Sequence, residues 1–127
     1  MIKRIVSVVD DDKSVRDGLS SLLRSLGAES HCFASSGEFL SSPFVEGSDC
    51  LIADVQMPGM NGLELQEELA RRGSRMPMIF ITAFPSRAAK ERAQAGGAIC
   101  FLEKPFDART IEQCLNHAFA RRSDGMT

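Results

Sequence analysis

The 127-residue sequence has no excess of positive charge, no closely spaced cysteine pair and no long apolar run. Its 15 basic and 17 acidic residues give a net charge of −2, so the bulk surface lacks the basic field that direct nucleic-acid binding needs. No apolar run approaches the roughly 18 residues of a membrane-spanning helix, and no signal peptide precedes the first apolar run. We therefore expect a cytoplasmic protein with no direct nucleic-acid binding by this domain and no membrane segment.

The four cysteines are Cys32, Cys50, Cys100 and Cys114. They are far apart in the sequence, with no C-x-x-C pair and no histidine at ligand spacing. Three of them stand inside apolar stretches, where cysteine usually acts as a small buried hydrophobic residue. This predicts a structural role and a reduced state for all four, and neither metal nor redox chemistry.

What the sequence does contain is an alternation of short apolar runs and helical patterns, at the length of one ordinary domain. The pattern predicts strands over 4–9, 28–33, 49–55, 77–82 and 98–102. It predicts helices over 13–27, 35–42, 63–72, 86–97 and 107–122. Such alternation indicates parallel β-α-β units in one domain over 1–121. The polar stretch 122–127 is interpreted as a flexible tail or the start of a linker.

Polar residues follow four of the five predicted strands. Asp10 and Asp11 end the first, Asp54 the third and Thr82 the fourth, and Lys104 follows the fifth. Ligands of open parallel sheets bind beyond the carboxyl ends of the strands, so these side chains are expected to converge.

Three converging acids call for a cation. The carboxylates of Asp10, Asp11 and Asp54 are hard oxygen ligands that suit Mg²⁺. The neighbouring Asp12 precedes the first helix, and we interpret it as a helix cap. Lysine and threonine beside a metal-bound carboxylate would hold a phosphoryl group, with Asp54 as the nucleophile.

Four segments in this order carry a family resemblance: "VVDDD", "DVQMPGMNG", "FITAF" and "FLEKPF". Over residues 3–121 the chain resembles the receiver domains of two-component response regulators. The last segment and the compact fourth helix are most similar to the nitrogen-fixation-regulator type. The resemblance implies a flavodoxin-like, doubly wound α/β fold with a five-stranded parallel sheet of order 2-1-3-4-5 and five helices.

The resemblance also implies a role for each site residue. Asp54 would accept a phosphoryl group from a histidine kinase or a small phosphodonor. Asp11 would bind Mg²⁺ directly and Asp10 largely through water, with Asp54 and the backbone carbonyl of Gln56 as further ligands. Lys104 would hold a phosphate oxygen and, with Thr82, belong to the catalytic set.

The implied response to phosphorylation involves Thr82 and Phe101 as switch residues. Thr82 would move toward the phosphate and Phe101 would turn inward behind it, while Pro105 would follow Lys104 through a cis peptide bond. The altered surface would lie on the fourth helix, fifth strand and fifth helix. The implied partners are a sensor histidine kinase, a second copy of the chain after phosphorylation, and a C-terminal helix-turn-helix effector domain that is not in this chain. The expected output is control of transcription.

Three other functions are compatible with parts of the pattern. A metal-dependent phosphohydrolase also uses an aspartate nucleophile, but commonly carries an acid where Gln56 stands. A flavin-binding module would need Ser, Thr or Gly after the first strand, where acids would repel its phosphate. A phosphorylation-independent pseudo-receiver would not need the complete acid, threonine and lysine set. Bulky Phe84, two residues after Thr82, suggests a further hypothesis, namely shielding of the acyl phosphate and slow self-dephosphorylation.

Overall fold

The structure, a computed structural model, describes residues 3–124. The strands are β1 (Ile5–Val9), β2 (Glu29–Phe33), β3 (Cys50–Asp54), β4 (Met78–Thr82) and β5 (Cys100–Glu103). The helices are α1 (Lys13–Ser25), α2 (Ser36–Leu40), α3 (Phe44–Gly47), α4 (Gly62–Arg71), α5 (Arg87–Ala95) and α6 (Ala108–Asp124). Over this part of the chain, no helix has the length and apolar character needed to cross a membrane.

The five strands form one parallel sheet of order β2-β1-β3-β4-β5, which confirms the order that the family resemblance implied. The register aligns the carboxyl ends of the strands. Val9 of β1 pairs with Ala53 of β3, and Asp54 pairs with Ile81 of β4. Since Asp10 follows Val9 and Asp54 follows Ala53, the two acids end neighbouring strands at the same level.

Two apolar cores cover the two faces of the sheet. Side chains from β1, β3 and β4 alternate between them, which explains why these strands are nearly continuous apolar runs. On one face α1 and α6 pack over Val6, Val8, Ile52 and Ile79. On the other face α2, α4 and α5 pack over Val9, Leu51, Ala53 and Phe80.

Helix α1 begins directly after the acidic segment. The Asp12 side chain accepts a hydrogen bond from the Ser14 backbone N–H at 2.8 Å, so the predicted cap is confirmed. The helix ends before Gly27, whose φ of 80° lies in the region that glycine adopts without steric cost. The cap holds the Asp12 side chain at the helix start.

The described residues contain six helices where the sequence predicted five. The additional helix is the single turn α3, which begins after Pro43, the residue interpreted as the end of the second helix. Ser42 Oγ accepts from the Phe44 backbone N–H at 3.2 Å, and the Phe44 ring stacks on His31 with centroids 3.7 Å apart. One turn is too short to show a helical period, and contacts with β2 stabilise it. The predicted fourth and fifth helices therefore correspond to α5 and α6.

The carboxyl-terminal boundary also differs from the prediction. Helix α6 continues to Asp124, so residues 122–124, assigned to the flexible tail, are helical. The remaining residues of that predicted tail, 125–127, lie outside the described residues.

The prediction that all four cysteines are reduced and unpaired is wrong for two of them. Cys100 in β5 and Cys114 in α6 form a disulfide, with Cα atoms 6.2 Å apart. Cys32 and Cys50 are free thiols, the first exposed and the second buried. Spacing in the sequence could not reveal the pair, because a strand and the helix packed on it bring the two residues together.

Candidate functional site

Four strand ends place polar side chains at one edge of the sheet. Asp10 follows β1, Asp54 ends β3, Thr82 ends β4 and Lys104 follows β5. The strands that carry them are consecutive neighbours in the sheet. The predicted convergence is therefore observed, and it follows from parallel strands of matched length and register.

The centre of this edge is an acidic cluster of Asp10, Asp11 and Asp54. One carboxylate oxygen from each lies within 4.8 Å of the other two. Asp10 is fully buried, Asp54 is 6% exposed, and Asp11 is exposed to solvent. The cluster thus has a buried base formed by two acids and an open side occupied by the third.

Backbone groups fix the orientation of the two buried carboxylates. Asp10 Oδ1 accepts from the Asp12 backbone N–H at 2.8 Å, and Asp54 Oδ1 accepts from the Gln56 backbone N–H at 3.1 Å. Each bond closes a tight turn directly after the strand. One oxygen of each carboxylate is therefore held by backbone, and the other is available for the site.

Lys104 bridges the remaining oxygens of the buried acids. Its Nζ donates to Asp10 Oδ2 at 3.0 Å and to Asp54 Oδ2 at 3.2 Å. Burial disfavours the ammonium, but hydrogen bonding and charge from Asp10, together with the charge of Asp54, outweigh that effect and raise the pKa of Lys104. The two acids therefore favour the ammonium form of Lys104.

The surroundings of the Asp54 carboxyl shift its pKa upward. Burial raises the pKa of Asp54 above its ordinary value. The Gln56 N–H opposes this rise, the negative charge of Asp10 adds to it, and Lys104 opposes it, with a net upward shift. An acid held in this way is a stronger base and nucleophile when ionised than a solvated aspartate.

The donor set of the cluster fits a hard divalent cation. Three carboxylates face one ammonium, which leaves two negative charges uncompensated within the cluster. All candidate ligand atoms are oxygens, the type that Mg²⁺ prefers. A divalent cation would balance both the charge and the donor chemistry of the site.

The segment that carries Lys104 is held against β4. The Lys104 backbone N–H donates to the Thr82 carbonyl at 2.8 Å, which continues the β4–β5 pairing beyond the strand. The peptide bond between Lys104 and Pro105 is cis. Lys104 is thus anchored by its backbone to β4 and by its side chain to β1 and β3.

Thr82 ends β4, and Phe101 lies in β5. Thr82 is fully buried, and its Oγ1 accepts from the Phe84 backbone N–H at 3.1 Å. Phe84 itself is 72% exposed. Phe101 is partly buried against the core that contains α5, and it lines a shallow surface groove with Pro85, Arg87 and Lys90.

One contact at the site was missed by sequence analysis. Arg16 of α1 donates from Nη1 to the Asp10 carbonyl at 2.8 Å, so the helix holds the turn that presents the acids. Arg16 stands one helical turn after Asp12, but an arginine at that position is also typical of a solvated helix face. No sequence signal separates the two.

Comparison with known proteins assigns the family. The response regulator receiver domain family matches residues 6–116. The chain therefore belongs to the response regulator receiver domains, a class of signalling domain.

Relatives at the sequence level include a nodulation protein and a transcriptional regulatory protein. Nodulation protein W of Bradyrhizobium diazoefficiens is 46% identical over 104 residues, which is 82% of this chain and 46% of that protein. The transcriptional regulatory protein FixJ of Azorhizobium caulinodans is 37% identical over 119 residues, covering 94% of this chain and 56% of that protein. The chain thus spans about half the length of the curated relatives that it matches.

Solved structures agree with the family assignment. Response regulator StyR superposes with a TM-score of 0.88 at 40% identity, covering 98% of this chain and 63% of that one. The amino-terminal FixJ structure has a TM-score of 0.84 at 30% identity and covers 94% of this chain and 96% of that one. The chain therefore shares its fold with these two solved structures.

Proposed function

We propose that the chain accepts a phosphoryl group on Asp54 from a sensor histidine kinase and transmits the change to an effector that regulates transcription. The observation that carries this proposal is the position of the Asp54 carboxylate. It lies within 4.8 Å of the acidic partners Asp10 and Asp11 and 3.2 Å from the Lys104 ammonium. A nucleophile between cation ligands and a fixed cation is suited to phosphoryl transfer.

The transfer forms an acyl phosphate. An oxygen of the ionised Asp54 carboxylate forms a bond to phosphorus, and the nitrogen–phosphorus bond of the kinase phosphohistidine breaks. The bonding electron pair stays with the imidazole nitrogen, which takes up a proton from water. Lys104 Nζ then pairs with an oxygen of the transferred group, where negative charge is concentrated.

The acidic cluster supplies the ligands for the expected cofactor. Asp10, Asp11 and Asp54, with the backbone carbonyl of Gln56, would hold Mg²⁺. The bound cation would neutralise charge on the phosphoryl group during its transfer. The backbone N–H of Gln56 already bonds to Asp54, so this residue is adjacent to the site.

The output surface follows from the residues beyond the cluster. Thr82 would exchange its contact with the Phe84 N–H for one with the phosphoryl group, and Phe101 would fill the space behind it. The surface of α5, β5 and α6 would then change and bind a second copy of the chain or an effector. A C-terminal effector domain, in our proposal of the helix-turn-helix type, is compatible with the transcriptional regulatory protein FixJ, of which this chain covers 56%.

The first test is intact mass after incubation of the chain with Mg²⁺ and acetyl phosphate. We expect the wild type to gain one phosphoryl group that is lost on mild alkaline treatment, as acyl phosphates are. We expect Asp54→Asn to gain none, because the amide has no nucleophilic oxygen of comparable strength.

The matched control is Asp12→Asn, since Asp12 belongs to the same acidic segment but caps α1. This variant should gain the adduct as the wild type does. An adduct that persists in Asp54→Asn would place the chemistry on another residue. The absence of an adduct in the wild type, both with acetyl phosphate and with a phosphorylated histidine kinase, would support the pseudo-receiver.

A further inference from the structure

The Cys100–Cys114 disulfide encloses the segment that carries Lys104, whose ammonium bonds to the buried acids of the site. Cys100 begins β5 and Cys114 lies in α6, 14 positions later. Between them are Phe101, Lys104 and the cis peptide bond to Pro105. The bond therefore ties the beginning of this segment to its end and closes it into a covalent loop.

The two sulfurs differ in burial. Cys100 is partly exposed, whereas Cys114 is 5% exposed and belongs to the core between the sheet and α6. The other thiols have no such partner, since Cys32 is exposed and unpaired and Cys50 is fully buried in β3. Burial raises the pKa of Cys50 to about 12, which makes its thiol unreactive. Among the four cysteines, only the linked pair has a partner within bonding distance.

Whether a disulfide is permanent or reversible depends on the redox conditions around the protein. In the reducing compartment that the sequence predicts, disulfides are commonly transient and act in redox sensing. A permanent staple would be expected in small secreted domains that lack a sufficient core. This chain has two apolar cores and does not need one.

We propose that Cys100 and Cys114 form a reversible oxidation site for hydroperoxides, and that the disulfide slows phosphoryl acceptance at Asp54. This inference rests on the proposed function. The two thiols reduce one hydroperoxide, and a small or protein dithiol restores them by exchange.

The oxidation proceeds in two balanced steps. The Cys100 thiolate attacks one oxygen of hydrogen peroxide, the O–O bond breaks, and the departing hydroxide takes up a proton to become water. The Cys114 thiolate then attacks the sulfur of the resulting sulfenic acid, the S–O bond breaks, and the departing hydroxide takes up a proton to become a second water. Two electrons pass from the thiol pair to the peroxide. Cys100 reacts first because it is the more exposed member of the pair.

The link to phosphorylation runs through Lys104. In the disulfide-bonded structure the Lys104 ammonium is committed to Asp10 and Asp54 at 3.0 and 3.2 Å. Acceptance of a phosphoryl group requires that the ammonium move from the Asp54 carboxylate to a phosphoryl oxygen. A covalent loop over residues 100–114 restricts that movement, and an open dithiol permits it.

The test compares the two redox forms of the wild-type chain. One sample is kept in dithiothreitol, and another is treated with hydrogen peroxide that is then removed. Alkylation after denaturation should add four groups to the reduced form and two to the oxidised form. With Mg²⁺ and acetyl phosphate, we expect the reduced form to gain its phosphoryl group at least threefold faster. Dithiothreitol should restore the faster rate to the oxidised sample.

Two variants separate the pair from the other thiols. Cys100→Ala combined with Cys114→Ala should show one rate with and without peroxide, while Cys32→Ala should keep the wild-type difference. Equal rates in the two wild-type forms, four alkylated thiols after peroxide, or a rate difference that persists in the double variant would each overturn the proposal. Failure of the proposed function has a different signature, because neither redox form would then gain an adduct.

Discussion

The central strand β3 and the outermost strand β5 contribute to the same site, but they differ greatly in burial. Here the centre means β3 and α4, and the edge means β5 and α5. All five residues of β3 are buried, whereas none of β5 is fully buried and Glu103 is exposed. The adjacent helices show the same contrast. Helix α4 buries five residues and α5 buries one, Ala93.

This contrast separates Asp54, the proposed phosphoryl acceptor, from Lys104 and Phe101, the proposed responding residues. Asp54 is fixed by the most densely packed part of the fold, while Lys104 and Phe101 belong to its least buried strand and the loop that follows. Elements with few buried apolar contacts open and shift at lower free-energy cost than the core does. We infer that charge added at the centre produces its structural response at the edge.

The largest expected effect on stability comes from adding a methyl group at Gly62, where α4 packs closely against the end of β3. A Cβ at Gly62, the first residue of α4, would meet the Asp54 carbonyl and the Phe80 ring. The three atoms nearest to a Cβ at Gly96, after α5, would all belong to the end of the Gln66 side chain. We expect Gly62→Ala to lower the free energy of unfolding in urea by about 2 kcal/mol, and Gly96→Ala to lower it by about 1 kcal/mol or less.

The control for these glycine variants is Gly18→Ala in α1, where an added Cβ meets no atom within 4 Å. Alanine in a helix interior should stabilise the chain there by about 0.5–1 kcal/mol. A Gly96→Ala variant that loses as much stability as Gly62→Ala would contradict the contrast between centre and edge.

A second prediction concerns the cost of keeping Asp54 ionised. Because its pKa is raised in the folded chain, the neutral form is favoured by folding, and this contribution is lost as pH rises from the ordinary value of 3.8 through the folded pKa. At neutral pH the ionised acid therefore destabilises the fold. We expect Asp54→Asn to raise the free energy of unfolding of the metal-free chain at pH 7, with a gain that shrinks as the pH falls toward 3.8.

Urea unfolding in the presence of a chelator, repeated across that pH range, measures this effect. Asp17→Asn is the opposite case, because the side chain of Lys13 lowers the pKa of exposed Asp17. Its substitution should not stabilise the chain at pH 7. A gain for Asp54→Asn that is independent of pH would show that ionisation is not its cause.

The smallest effect is expected at exposed Phe84, where stability should not change. The Phe84 backbone N–H bonds to Thr82 Oγ1, and the proposed function brings Thr82 to the acyl phosphate. We expect Phe84→Glu to hydrolyse the adduct about tenfold faster, equivalent to about 1.4 kcal/mol of barrier, because a carboxylate can orient water. Intact mass at intervals after removal of the donor measures the lifetime. Phe84→Leu should keep the wild-type lifetime, and equal lifetimes for all three chains would contradict the hypothesis of apolar shielding.

Much of the central sheet could be predicted from sequence because it depends on patterns among residues that are close together in the chain. The buried strands are continuous apolar runs, and each polar residue that ends one is placed by the sheet itself. The convergence of Asp10, Asp54 and Lys104 could then be predicted because the carboxyl ends of parallel strands lie at the same end of the sheet. The cap at Asp12 was predictable for the same reason, since its hydrogen bond reaches only to Ser14.

What could not be predicted depends on contacts between distant residues. The turn α3 is stabilised by stacking of Phe44 on His31, thirteen positions away, and no periodic pattern encodes it. The disulfide depends on how β5 lies against α6, and the bond from Arg16 to the Asp10 carbonyl depends on the rotation of α1. The Asp54 pKa required the actual burial of the carboxyl.

The Lys104 bridge also bears on how the chain is made. Asp10 is synthesised 94 positions before the ammonium that partners it, and its carboxylate is fully buried in the finished fold. During synthesis from the amino terminus, β1, β3 and β4 are complete before residue 104 exists. An unpaired charge in that position would be costly to bury, so the acid must remain hydrated until the fifth strand arrives. The segment after β5 therefore completes the site, and a chain cut short before Lys104 would carry the acids without the ammonium that pairs with them.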